Sequence, residues 1–187
     1  MIDRETRRSE VEARLAAHVL AHGLSRTSLR DLARAAGTSD RMLLYYFADK
    51  AEILGVVLAR IAADMAALLD GALPSAERLA PADLLARLGA MAGTAQMRPY
   101  MELWSEIAAG AARGEAPFDA IADAIAAGFR DWADARLAVA DDAARARLAA
   151  LMIVAVDGAA LLAPMAGGAI ARDGLGALAD LLARYCS

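Results

Sequence analysis

Residues 28–50 read SLRDLARAAGTSDRMLLYYFADK and decide the fold. A helix-turn-helix needs a small residue where its two helices cross, a glycine in the tight turn, and apolar residues that hold the second helix. Ala33 is the small residue here, Gly37 follows four positions later, and Leu43 and Phe47 hold the second helix. The stretch therefore predicts a helix-turn-helix, although an ordinary helical hairpin would also accept Ala-x-x-x-Gly.

Helix-start signals define the ends of these short helices. Ser28, with Asp31 three residues later, is a capping box for the helix that contains the small residue. Ser39 is a natural N-cap for the second helix of the motif, over about residues 40–46. A long helix then starts at about residue 50 and links the motif to the rest of the chain. We therefore predict a helix-turn-helix over about residues 28–47.

The composition favours helices along the whole chain. Alanine, the best helix former, accounts for 51 of the 187 residues, whereas the aromatic residues that strands prefer make up 5%. Five more helices are predicted after the long one, over about residues 82–95, 99–111, 117–138, 142–163 and 174–185. We expect an all-α fold of about nine helices, with a three-helix domain over residues 1–50 and a helical bundle over residues 51–187.

The stretch 36–50 resembles the DNA-binding domain of TetR-type (tetracycline-repressor-like) transcriptional regulators. It has the Ala-Gly-x-Ser opening, an aromatic-rich end to the second helix, and then Phe, two residues and Lys. The resemblance runs from about Arg8 to Leu58. It departs at Leu44, where the family often has an aromatic residue, and at Asp40-Arg41, which replace small residues.

The resemblance implies a sequence-specific DNA-binding regulator. It further implies a homodimeric repressor, held on a palindromic double-stranded operator and released by a small, largely apolar effector that binds in the C-terminal bundle. Two other classes remain as alternatives. One is an all-α enzyme, for which the chain offers no acid–base or metal-ligand cluster. The other is a helical ligand-binding or interaction module that has lost DNA binding.

The resemblance also assigns roles to residues of the motif. The exposed side of the second helix would enter the major groove, with Arg41 as the best candidate for a bidentate contact to guanine. The expected base-contacting side chains are Ser39, Arg41, Met42 and Tyr45. The candidate phosphate contacts are Ser28, Tyr46 and Lys50, joined by Thr27 and Arg30.

Some residues of this region have alternative roles. For the tyrosines, packing against the first helix is the alternative. Asp40 has three possible roles: a cap, a contact to a cytosine amino group, or a partner that orients Arg41. Arg4, Arg7 and Arg8 form either an arm toward the DNA backbone or a solvated end.

The predicted helix over residues 142–163 is apolar on nearly all sides and must be covered on both. A second subunit could bury the remaining apolar side of this helix. The last helix has a single apolar stripe that is suited to the same interface. In TetR-type proteins the last two helices form the dimer interface. The predicted interface residues are Leu151, Val154, Leu162, Leu178 and Leu182.

Methionine and aromatic residues cluster on the middle helices and suit an adaptable apolar pocket. The candidate effector-binding residues are Met91, Met101, Trp104, Phe118, Phe129 and Trp132, and a plain core is the alternative. Glu102 and Glu106 lie four residues apart around Trp104. Either could meet a cationic or hydroxylated ligand, or be a solvated surface group.

Charge and cysteine content exclude several other classes. The net charge is −4, and residues 1–50 hold nine basic and seven acidic side chains, which excludes a uniformly basic coat protein. Cys186 is the only cysteine, so an intrachain disulfide is impossible. His18 and His22 could share a helical face but lack a third ligand. We expect neither a metal nor a cofactor.

One segment, residues 148–171, is long enough to cross a membrane. Asp157 lies near its centre, where a carboxylate costs roughly 2.5–3.5 kcal/mol on insertion scales. Pro164 and a Gly-Gly pair interrupt its second half, and no secretory signal opens the chain. We expect a buried helix up to about Ala163, no membrane association, and a cytoplasmic protein.

Overall fold

The computed structural model describes residues 4–74, 76–165 and 168–185. These ranges contain nine α-helices and no strand, so the predicted all-α class and helix count are confirmed. The helices are α1 (Arg4–His22), α2 (Leu29–Ala36), α3 (Asp40–Tyr46), α4 (Lys50–Ala72), α5 (Pro81–Ala92), α6 (Arg98–Ala112), α7 (Phe118–Asp134), α8 (Asp142–Leu162) and α9 (Ala169–Tyr185). A 3-10 turn, Leu24–Arg26, joins α1 to α2.

Two helix ends differ from the predicted ones by four residues or more, and α5 ends at Ala92 instead of residue 95. The last helix begins at Ala169 instead of residue 174, because Gly174 and Gly176 lie inside the helix at a cost of only about 1 kcal/mol each relative to alanine. The seventh ends at Asp134 instead of residue 138. Beyond that point the backbone forms a bridge with Leu79, whose N–H donates to the Arg136 carbonyl at 2.8 Å. The predicted glycine break at 167 and the single cysteine at 186 lie outside the described residues.

The chain folds as two compact units. The first contains residues up to 66 together with 102–125, and the second contains residues 67–101 and those from 126 onward. The first unit thus includes most of α6 and the beginning of α7 in addition to the three N-terminal helices. The predicted division into a DNA-binding domain over residues 1–50 and a regulatory domain over residues 51–187 stays a prediction.

The core of the first unit holds the helix-turn-helix together. Leu32, Ala33 and Ala36 of α2 are buried, as the apolar stripe predicts. Further apolar side chains from α1, α3 and α4 are buried in the same unit: Leu15, Val19, Leu43, Ile53 and Val57. Burial of a leucine- or isoleucine-sized side chain contributes about 1.5–3 kcal/mol each.

The core of the second unit is built mainly by α5, α8 and α9. Leu84 and Leu85 of α5 and Met152 of α8 are almost fully buried there. Gly89 brings α5 close to α9, since a Cβ built on it would lie 2.8 Å from Leu175 Cδ1. Among the described residues, none of the helices combines the length and the hydropathy needed to cross a bilayer.

Candidate nucleic-acid interface

The turn between α2 and α3 requires a glycine. Gly37 has φ 69° and ψ 35°, the left-handed conformation that side chains with a Cβ rarely adopt. The Thr38 N–H donates to the Ala33 carbonyl at 2.9 Å, and Gly37 N–H donates to Arg34 at 3.1 Å. Arg14 of α1 donates to the Ala36 carbonyl at 3.1 Å. These bonds satisfy the last carbonyls of α2 and hold the turn against α1.

The capping box predicted at the start of α2 is present. Ser28 Oγ accepts from the Asp31 N–H at 3.2 Å and donates to the Asp31 carboxylate. This hydrogen bond from Ser28, and then the nearby Arg34 and Arg26 guanidinium groups, lower the pKa of Asp31 below its usual value. The Ser28 hydroxyl is exposed but already engaged in the cap.

Helix α3 presents one face to the protein and another to solvent. Ser39 caps it, accepting from the Met42 N–H at 3.3 Å, and Leu43 and Phe47 are buried as predicted. Met42 and Tyr45 are 39% and 57% exposed. The exposed side chains on the outer face are Ser39, Asp40, Arg41, Met42, Leu44 and Tyr45. The face predicted to contact bases is therefore open to solvent.

The two tyrosines occupy different environments. Tyr46 is half-buried, whereas Tyr45 projects outward, and their rings meet edge to face with centroids 5.4 Å apart. Leu44, 46% exposed, belongs to the outer face although the sequence analysis did not select it. Leu44 lies three residues after Arg41, and residues with this spacing share one face of a helix, so the sequence pattern could have placed Leu44 on the outer face.

The start of α4 is closed by a second capping box. Asp49 accepts from the Glu52 N–H at 2.8 Å, and Glu52 accepts from the Ala48 N–H at 2.6 Å. Lys50 is the first residue of α4 and is exposed. Its ammonium is therefore carried on a backbone whose conformation is set by two side-chain hydrogen bonds.

Arg8 forms part of the domain rather than an arm. Its guanidinium lies 3.0 Å from Glu12 and 3.2 Å from Glu52, and stacks 4.9 Å above the centroid of the Phe47 ring. It ties α1 to the beginning of α4. Arg7 is exposed, and the side chain of Arg4 lies outside the described residues.

Thr27 does not lie on the proposed DNA surface, and its expected role is corrected. The residue is only 4% exposed, and its hydroxyl donates to the Leu24 carbonyl at 2.7 Å. The short polar side chain closes the 3-10 turn before α2. Threonine at this position therefore shapes the turn, and its hydroxyl is engaged within the chain.

The histidines also shape this turn. His18 and His22 stack with ring centroids 4.5 Å apart, and His18 Nε2 lies 3.0 Å from the Arg26 carbonyl. The described residues hold no group of three or more potential metal ligands.

Charge is distributed unevenly over the N-terminal helices. Acidic side chains such as Asp31, Asp49 and Glu52 accept hydrogen bonds within the chain, from the Ser28 hydroxyl in the case of Asp31. Arg30 and Arg41, like the exposed lysine that begins α4, extend into solvent. A domain with little net charge can therefore present a positive surface beside α3.

The predicted interface residues lie in the second unit and differ in exposure. Val154 is 69% exposed, whereas Leu151, Leu162 and Leu178 are half-buried. Leu182 is only 8% exposed and belongs to the core of the second unit, which corrects the expectation that it faces a partner. The large apolar side chains exposed on α8, α9 and their connection are Val154, Leu161, Met165, Ile170 and Leu181.

The predicted effector-binding residues are divided between the two units. Trp104 and Phe118 lie in the first, where Gly110 leaves room for the ring: a Cβ there would be 2.6 Å from Phe118 Cδ2. Met91, Met101, Phe129 and Trp132 lie in the second unit. Met91 and Trp132 pack against its core, and Met101 is 8% exposed. The plain-core alternative therefore describes part of this set.

Trp132 belongs to a polar cluster that the sequence analysis missed. Arg136 is 4% exposed and donates to the Leu73 carbonyl at 2.8 Å and to the Asp70 carboxylate. Its guanidinium lies 3.9 Å above the centroid of the Trp132 ring, whose Nε1–H donates to Asp70 at 2.7 Å. This cluster joins the end of α4 to the end of α7, and no local pattern in the sequence predicts it, because the hydrogen bonds that join these two helix ends span more than 60 residues.

Comparisons with known proteins agree with this geometry. Residues 14–57 match the family model described as bacterial regulatory proteins, tetR family. No curated protein sequence matches the chain.

Two solved structures share the fold. One is a transcriptional regulator from Rhodococcus sp. Rha1, with a TM-score of 0.68, 22% identity, and coverage of 94% of this chain and 92% of that one. The other is a proposed TetR-family transcriptional regulator from Rhodococcus sp., with a TM-score of 0.71, 19% identity, and coverage of 97% and 98%. The resemblance noted in the sequence is thus confirmed: residues 14–57 form a transcriptional-regulator domain of the bacterial tetR family of regulatory proteins.

Proposed function

We propose that the protein is a homodimeric repressor that leaves a palindromic operator when a small, largely apolar molecule binds to it. The observation that carries the proposal is the capped helix-turn-helix, in which α3 buries Leu43 and leaves its opposite face open to solvent. A helix of this kind fits the major groove, which is about 12 Å wide.

The residues of this surface have chemically distinct tasks. Arg41, in the first turn of α3, reads guanine, and Met42 and Tyr45 make apolar contacts to neighbouring bases. The Ser39 hydroxyl keeps its capping bond while lying at the edge of the groove. The phosphate contacts are Ser28, Arg30, Tyr46 and Lys50, of which the last carries the only lysine ammonium of the chain.

Exposed stripes on α8 and α9 support the dimer. On α8, Val154, Gly158 and Leu161 follow at spacings of four and three residues and are exposed, and Met165, in the turn after the helix, is also exposed. On α9, Ile170, Gly174, Ala177 and Leu181 repeat this spacing and are likewise exposed. These spacings place each set on one helical face.

Small residues in the middle of each stripe favour close packing. A Cβ built on Gly158 or Gly174 would meet no described atom within 4 Å, so another helix could approach either backbone closely. Since α8 and α9 pack against each other within the second unit, a second copy could complete a four-helix seam. A symmetric dimer would in turn require two symmetric half-sites in the operator.

The effector is the least constrained component. The methionine and aromatic residues of α5–α7 favour an apolar molecule, and we propose that some of them contact it. Its binding, rather than catalysis, would control the affinity for DNA. The proposed action needs neither cofactor nor membrane and fits a cytoplasmic protein.

Selection from a random duplex library tests the proposal. The full chain should enrich one palindromic sequence, and its affinity for that duplex should fall steeply with salt because phosphate contacts release counterions. A screen of small apolar molecules should then yield one that releases the duplex. Failure to enrich any sequence would overturn the proposal and favour a module that has lost DNA binding. Arg78→Ala, at an exposed position of the α4–α5 connection, is the control variant and should select the same sequence as the wild type.

A further inference from the structure

We infer that Glu106 of α6 is a positioning residue for DNA recognition: its carboxylate holds the turn between α1 and α2 and thereby sets the orientation of the reading helix. The inference rests on the proposed function, since it concerns the same DNA-binding surface. It gives Glu106 a partner within the chain, where the sequence left a ligand contact or a solvated group open.

The contact joins residues 82 positions apart. Glu106 Oε2 accepts a hydrogen bond from the Leu24 backbone N–H at 2.6 Å. Gly23 precedes it with φ 66°, and a Cβ built on this glycine would overlap the Glu106 carboxylate. The positive φ favours glycine at residue 23, and any larger side chain there would displace the Glu106 carboxylate from its present position.

The segment that Glu106 holds is closely bonded to the start of α2. The Leu24 carbonyl accepts from the Thr27 hydroxyl at 2.7 Å, and the next residue, Ser28, caps α2. On the other side, the Gly23 N–H donates to the Val19 carbonyl of α1 at 2.8 Å. Displacement of Leu24 would therefore be transmitted to the helix-turn-helix over a few bonded residues.

Glu106 itself is carried on a well-anchored helix. Leu103 and Ile107, which flank it on α6, are each 3% exposed. Phe118 packs onto Gly110 one turn further along, so α6 is also held by the beginning of α7. The Glu106 side chain is exposed, but it extends from an anchored backbone, and its carboxylate makes a charge-assisted hydrogen bond, which is stronger than a neutral one.

The functional consequence is selectivity for the spacing between half-sites. In a dimer, the range of separations open to the two α3 helices depends in part on how firmly each α3 is held within its own first unit. A firmly held pair accepts one half-site spacing, whereas a loosely held pair accepts several. Glu106 therefore affects which spacing between half-sites the dimer accepts, whereas the contacts of α3 determine which bases it prefers within each half-site.

The test compares Glu106→Ala and Glu106→Gln with Glu102→Ala, an exposed control one turn earlier on the same helix. The probes are the duplex selected by the wild type and versions with one base pair inserted or removed between half-sites. We expect the wild type and Glu102→Ala to discriminate against the altered spacings by about tenfold or more, and Glu106→Ala by less than about threefold. Affinity for a single half-site should be unchanged. Glu106→Gln keeps an acceptor oxygen, so its discrimination against altered spacings should lie between that of the wild type and that of Glu106→Ala.

Amide hydrogen exchange without DNA provides an independent readout. Exchange of the Leu24 amide should accelerate in Glu106→Ala and stay at the wild-type rate in Glu102→Ala. Unchanged exchange at Leu24, or retained spacing discrimination in Glu106→Ala, would overturn the inference even if the wild type binds its operator tightly. A wild type that selects no duplex would overturn the proposed function, and the DNA-dependent part of the inference with it. Thermal unfolding of each variant verifies that it is folded.

Discussion

Large apolar side chains are exposed at two places in the described chain, one in each unit. On α3, Met42, Leu44 and Tyr45 are 39%, 46% and 57% exposed. On α8 and α9, Val154 and Leu161 are 69% and 61% exposed, accompanied by the other residues of the two stripes. By exposure alone the two surfaces are alike.

Their neighbours distinguish them. The α3 surface lies on helices that carry exposed Arg30, Arg41 and Lys50, and its helix ends are closed by side-chain hydrogen bonds. The α8 and α9 stripes instead contain glycine and alanine, which allow close approach of another apolar helix. Cations suit a polyanion, and small residues suit close helix packing. Exposed apolar area therefore identifies an interface, and the surrounding groups identify its partner.

The largest effect is expected from a charge in the α8 and α9 seam. Val154→Arg should give a monomer, because an unpaired arginine would have to be buried between two apolar faces. Affinity for the full operator should then fall by about 100-fold or more, since the gain in effective concentration from the second half-site is lost. Light scattering measures the oligomeric state, and a gel-shift assay measures the affinity for the full operator.

Ala86→Arg, at an exposed position of α5 in the same unit, controls for the added charge. A Val154→Arg variant that stays dimeric would place the seam elsewhere. Leu182→Glu should differ from Val154→Arg by unfolding the unit, because Leu182 is buried among the residues of its own core.

The next effect concerns base identity on the α3 surface. Arg41→Ala should reduce discrimination at one base pair per half-site by about 1–3 kcal/mol, because a bidentate contact to guanine would be lost. Competition between operator variants measures this difference. Equal weakening on all sequences would instead make Arg41 a phosphate contact.

A smaller and uniform effect is expected at Lys50. Lys50→Ala should weaken binding to every duplex alike and reduce the slope of log affinity against log salt by about 1, as expected for one phosphate contact. Titrations at several salt concentrations give the slope. Arg78→Ala, an exposed cation of the α4–α5 connection, should leave it unchanged. If the two variants have the same slope as the wild type, Lys50 makes no phosphate contact.

The smallest effect is expected from the apolar side chains of α3. Replacing thymine by uracil in the selected operator removes a methyl group and should cost less than about 1 kcal/mol at a base touched by Met42. The same replacement should cost nothing in Met42→Ala. An equal penalty in both proteins would separate Met42 from the thymine contacts.

The features predicted correctly from the sequence are mostly local. Ser28 with Asp31, Ser39 with Met42, and Gly37 after α2 act over three or four residues, so their geometry follows from helix ends alone. The pattern of buried residues in α2 and α3 is equally local. These interactions account for the helix-turn-helix and for most of the exposed face.

The features that were missed depend on contacts between distant segments. Arg136 reaches Asp70 over 66 residues, and Glu106 reaches Leu24 over 82. On α9, Leu181 and Leu182 are adjacent in a leucine-rich helix, yet the first is 49% and the second 8% exposed. Which of them meets the subunit's own core depends on the rotation of α9 against α5 and α8, and a stripe in the sequence does not specify that rotation.

The position of Lys50 has a practical consequence for measuring occupancy. It is the only lysine of a chain that contains 19 arginines, and it lies exposed at the first residue of α4. An amine-selective reagent therefore finds a single side-chain target, located on the proposed DNA surface. The extent of modification of this one side chain would report on the fraction of protein bound to DNA, with no label attached to either molecule before the experiment.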